Sequence, residues 1–145
     1  MVERELTLGE GLLLQAVRRL ALQMRCRTLR PWFERACGCA GPQTHAMLTA
    51  FVQQLGSHGL RRIALAAPMA ARITPDERLL LDAFGCAQAE DHAGMERRLQ
   101  ALAATEPPLA LGAAACFVAQ AFELSGLTLR VSSPPFGAAG LTPLP

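Results

Sequence analysis

Thr74-Pro75-Asp76-Glu77 constrains this chain more than any other stretch, because all four residues favour the first turn of a helix. The Thr74 hydroxyl caps, Pro75 suits the first helical position, and the two acids favour the positive end of the helix dipole. Glu77 completes a capping box by reaching back to the Thr74 N–H. Leu80, Leu81, Phe84 and Ala87 follow at helical spacing and supply a buried face. Thr7-Leu8-Gly9-Glu10 repeats the device near the start of the chain. It is followed by Leu13, Val17, Leu20 and Met24 on one face, with Gln15, Arg18 and Arg19 opposite.

The remaining helices follow from these two. Pro31 to Ala36 reads as a short helix with proline in its first turn. Pro42 to Ser57 reads as a longer one that turns Leu48, Phe51, Val52 and Leu55 inward, with Gly59 as a left-handed exit. A turn at Glu90-Asp91 lets Asp91 cap a helix over 92–104, whose Met95, Leu99 and Leu102 point inward. Pro107-Pro108 opens a last helix over 108–125 that stops at Gly126. Because that helix is apolar on nearly every side, its expected place is the centre, covered by the others. Cys86 and Cys116 fall within apolar helix patterns and read as core.

Two segments break the helical pattern. Residues 61–65 are weakly alternating and end before Pro68, while 127–131 alternates apolar and polar as a half-buried strand does. They are expected to pair as a small two-stranded ribbon against the helices. The expectation is an all-α fold of about six helices, one domain over 1–131, and a disordered Pro- and Gly-rich tail over 132–145.

Composition agrees. The chain has 145 residues, 51% of them hydrophobic, with Ala and Leu dominant. That favours helices and is enough for one sizeable core. The net charge of +2 gives the chain as a whole no preference for nucleic acid or for an acidic partner. All 14 basic residues are Arg, which reads as compositional bias rather than selection at each site. Val2-Glu3-Arg4-Glu5 is charged, and the apolar stretch after it is broken by Arg18 and Arg19, unlike a signal peptide. The most apolar run, Leu109 to Phe122, is shorter than the roughly 20 residues a membrane span needs. A cytoplasmic chain with no membrane partner is expected, with its five cysteines reduced.

Candidate chemistry is concentrated at Cys37-Gly38-Cys39, with Cys26 upstream and His45 downstream. Four such ligands suit zinc, but the spacing C-x10-C-x-C-x5-H is not that of paired zinc knuckles. A reactive thiol there draws on Arg35 and on the helix N-terminus at Gly41-Pro42. The plain alternative is that these cysteines are small buried hydrophobes. A basic segment from Arg18 to Arg35 interleaves arginines with aromatics, and Arg25, Arg27, Arg30 and Trp32 are its candidates for nucleic-acid contact. Against this stand a solvated helix face and the lack of any recognition motif. Asp91 and His92 are neighbours, but on a helix they diverge by about 100°, and Asp91 already has a cap to make. No phosphate loop, nucleophile elbow or H-E-x-x-H pattern occurs.

The leading expectation is a small helical protein-interaction or regulatory module with no evident catalytic site. Its partner is another protein or a second copy of itself, met through the 127–131 edge or through helix 108–125. The alternatives are a thiol or zinc protein on Cys26, Cys37, Cys39 and His45, and nucleic-acid binding through the 18–35 arginines.

Overall fold

The fold is all-α. In the computed structural model, which describes residues 6–22 and 28–132, six α-helices follow one another. They are α1 (Leu8–Ala21), α2 (Leu29–Cys37), α3 (Gly41–His58), α4 (Pro75–Gln88), α5 (His92–Ala103) and α6 (Leu109–Leu124), with a short 3-10 turn at Gly38–Ala40 before α3. Both capping boxes form: Thr7 with Glu10, and Thr74 with Glu77. Asp91 caps α5 by accepting from the Gly94 N–H. The second helix begins at Leu29 rather than Pro31, so proline falls within its first turn instead of opening it.

The helices share one core. α4 packs on α5 and α6, α3 packs on α2 and α6, and α1 lies across α3 and α4. Phe33, Phe51, Phe84 and Phe122 are fully enclosed. Phe51 meets Phe84 edge-on at 4.8 Å and Phe33 tilts against Phe122 at 6.3 Å. Burying each ring contributes about 1.5–3 kcal/mol. The core needs close approach between α2 and α3. A Cβ on Gly41 would lie 2.6 Å from the Glu34 backbone, so only glycine fits there.

Four expectations are corrected. The ribbon of 61–65 with 127–131 does not form, and no strand occurs among the described residues. Both segments lack helix and strand, and side chains elsewhere in the chain accept from several of their N–H groups. Along 127–132, the Leu129 N–H donates to Gln88 Oε1, that of Arg130 to Glu10 Oε2, and that of Ser132 to Asp82 Oδ1. Along the stretch before α4, the Ala64 N–H donates to Asp76 and the Ala66 N–H to Glu77. Second, α6 is not covered on all sides, as described below. Third, Gly59 leaves α3 in an extended conformation at φ −69°. It is glycine for lack of room, since a Cβ would sit 2.8 Å from the Leu55 carbonyl oxygen. Fourth, Arg18 is fully buried rather than outward-facing. Met24, Cys26, Arg25, Arg27 and the tail beyond Ser132 lie outside the described residues.

Candidate functional site

The two clusters read from sequence are placed as follows. Cys37 ends α2 in the core, and Cys39 is exposed in the 3-10 turn. The His45 ring, in the first turns of α3, tilts against Phe33 at 5.7 Å. Burial, and then Arg30 nearby, lower the His45 pKa and favour the neutral ring. Among the described residues no three or more His, Cys, Asp or Glu side chains are grouped to hold a metal ion.

In the basic segment, Arg18 is committed to the interior. Its Nε and Nη2 form a two-pronged pair with Glu77 at 2.8 and 2.9 Å, and its remaining donors reach the Ala70 and Arg72 carbonyls. Arg19 lies over the Trp32 ring, 5.2 Å from its centre, covering a face that a base would otherwise stack on. Arg30 pairs with Glu34 on the exposed side of α2.

The carboxylates explain themselves structurally. Burial pushes Glu77 up, but hydrogen bonds from Arg18, Thr74 and Ala66 together outweigh it and hold the group below the usual glutamate value. Glu10 is balanced the same way: burial raises it, and Arg130 and the Thr7 and Arg130 N–H groups bring it down further. Each glutamate therefore caps its own helix and fastens an extended segment from elsewhere in the chain.

What remains without such an explanation is the outer face of α6. At 100° per residue, Leu109, Ala113, Phe117, Gln120 and Leu124 fall within an arc of about 80°. All five are exposed. Leu109 and Leu124 are 89% and 81% exposed and Phe117 37%. The whole helix carries one charged residue, Glu123. Scattered surface leucines need no explanation, but a stripe along four turns of one helix does.

Comparison with protein-family models, with curated proteins and with solved structures finds no match.

The stripe has an internal symmetry that the sequence reading missed. Counted from the midpoint between Cys116 and Phe117, Leu109 and Leu124 are equally distant, and so are Ala113 and Gln120. An antiparallel pair of α6 helices related by a two-fold axis at that midpoint would set Leu109 of one copy against Leu124 of the other. Ala113 would face Gln120, and the two Phe117 rings would meet near the axis. Isologous dimers require a self-complementary patch of this kind. A cleft of about 440 Å³ lined by Val17, Ala21, Val52, Leu55, Leu60 and Ile63 lies between α1 and α3.

Proposed function

We propose that this chain is a protein-interaction module that acts as a homodimer, with the exposed face of α6 as the contact. The observation that carries the reading is the apolar stripe Leu109, Ala113, Phe117 and Leu124, unpartnered and symmetric about its own midpoint. A 16-residue helix is about 24 Å long. A pairing of that length falls toward the small end of stable interfaces, so the affinity expected is on the order of micromolar. Small Ala113 and Ala110 let the two backbones approach closely, while Leu109 and Leu124 fill the ends. The alternative route through the 127–131 edge has little left to offer. The Leu127, Leu129 and Arg130 N–H groups already donate within the chain.

Light scattering coupled to size exclusion, from about 1 to about 300 μM, tests the reading. The expected result is a monomer–dimer equilibrium that Leu124→Glu and Leu109→Glu shift fully to monomer, with helix content and thermal midpoint retained. Both residues are largely exposed, so the fold should accept the change. A wild-type chain that stays monomeric throughout the range overturns the proposal. So does a dimer that both variants leave intact.

A further inference from the structure

A convergence of soft donors at the margin of the apolar stripe joins α5 to α6. Cys116 Sγ lies 3.9 Å from His92 Nδ1 and 3.8 Å from Met95 Sδ. His92 and Met95 are three residues apart on α5, which sets them on one face of that helix. Cys116 approaches them from the middle of α6. Met95 is held in place: a Cβ on Gly112 would lie 3.2 Å from its terminal methyl carbon, so the glycine makes the room in which the thioether rests. Met95 is buried, Cys116 half-buried and His92 exposed, so the three span from the core to the surface.

As a hydrogen-bonded group the arrangement is incomplete. The thiol donates to the Met95 thioether, and the His92 Nδ1 contact is a donor or an acceptor according to its tautomer, so the three groups are joined only by weak sulfur contacts. As a ligand set the spacing is apt. A metal at about 2.3 Å from sulfur and about 2.0 Å from nitrogen, with donors about 120° apart, holds a sulfur and a nitrogen about 3.7 Å apart and two sulfurs about 4.0 Å apart. The two observed edges, 3.9 Å for sulfur to nitrogen and 3.8 Å for sulfur to sulfur, lie within about 0.2 Å of those values. The donor types also discriminate. Thiolate and thioether sulfur select a soft ion such as Cu(I) and are poor ligands for Mg²⁺ or Ca²⁺.

We propose that His92, Met95 and Cys116 form a three-coordinate site for a soft monovalent cation of the Cu(I) class. On binding, the Cys116 S–H bond breaks and its proton passes to solvent. The sulfur lone pair forms the bond to the metal, and Nδ1 and Sδ donate one pair each, with no change of oxidation state. Metal uptake therefore releases one proton per chain. The exposed imidazole gives the ion a path in and out.

The test uses the full chain under anaerobic conditions, titrated with Cu(I) as its acetonitrile complex and with Ag(I) as a redox-silent probe. The methionine methyl groups are followed by NMR, and Met95→Leu assigns the Met95 signal. Expected is a shift of that signal complete at one equivalent, with affinity lowered at least about tenfold by Cys116→Ser and by His92→Gln. The methyl readout separates this site from the other described cysteines, because among the described residues only Cys116 is paired with Met95. A Met95 methyl that does not move at one equivalent, while metal–thiolate absorbance grows, overturns the proposal by placing the ion on other thiols. Unchanged affinity in both Cys116→Ser and His92→Gln overturns it equally, and helix content by circular dichroism confirms that both variants are folded.

Discussion

Among the described residues Arg18 is the largest side chain wholly enclosed, and Glu77, equally enclosed, is the carboxylate that balances it. Removing one member of a buried pair leaves the other charged in a poorly solvated place, at a cost of about 3–5 kcal/mol. Arg18→Met is therefore expected to lower the unfolding free energy by about 3 kcal/mol or more in urea titration. Arg30→Met, which breaks only the exposed pair with Glu34, is expected to change it by less than about 1 kcal/mol. Sequence gave no sign of this difference, because Arg18 and Arg19 are adjacent and Glu77 is 59 residues from Arg18. Protonation is linked to folding at the same scale. Glu10, Glu77 and Asp76 all have folded pKa values below their ordinary ones. Their stabilisation is present above the unfolded value near 4 and is lost as pH falls through the folded values. His45 is lowered as well, so the unfolded chain takes up that proton first as pH drops through about 6.5. The urea midpoint is expected to fall in two steps on acidification, a small one below neutrality and a large one below about pH 4. His45→Gln should remove the first and leave the second.

At the scale of elements, the helices and the extended segments differ in how much of their cause is local. An N-terminal cap is complete within four residues, so the boxes at Thr7 and Thr74 and the simple cap at Asp91 announced α1, α4 and α5 correctly. Alternation in 127–131 predicted a half-buried strand; the stretch is not helical and Leu129 is buried, but no strand forms there. It carried no information on what would satisfy the backbone, and the ribbon was the wrong answer. The true partners are Gln88 and Asp82 on α4 and Glu10 on α1, of which the sequence assigned a task only to Glu10, as a cap. Gly85 completes the arrangement, since a Cβ there would come within 2.6 Å of the Arg130 carbonyl oxygen. Gln88 both accepts from the Leu129 N–H and donates to the Leu127 and Ala119 carbonyls. Gln88→Ala should loosen the segment by about 1–3 kcal/mol, seen as roughly tenfold or faster hydrogen exchange at the Leu129 amide. Exchange within α4 and α6 should hardly change.

For the molecule as a whole, the all-α class was legible because Ala, Leu and the caps point the same way at every level. The exposed apolar face of α6 was only half legible. Sequence showed that α6 is apolar all round, but a helix without a polar face gives no hint of which side its neighbours leave open. That was decided by α3 and α4 covering two flanks while α5 reaches only the margin, at Cys116. The soft-donor triad was hidden for a related reason: His92 and Met95 stand 20 or more residues from Cys116, and no spacing rule links them.

One further consequence follows from the way the segment 127–132 is fastened. Thr7 and Glu10 at one end of the described chain hold Thr128 and Arg130 at the other, across 121 and 120 residues. Tension applied between those two ends would bear on this clasp before it reached any helix. Its attachments belong to separate side chains spaced along the strand direction, so they would open one after another, Ser132 from Asp82 first and Leu129 from Gln88 after Arg130. Pulled in this way, the chain should peel softly at low force and then resist, because the helical core comes under load only once the clasp is gone.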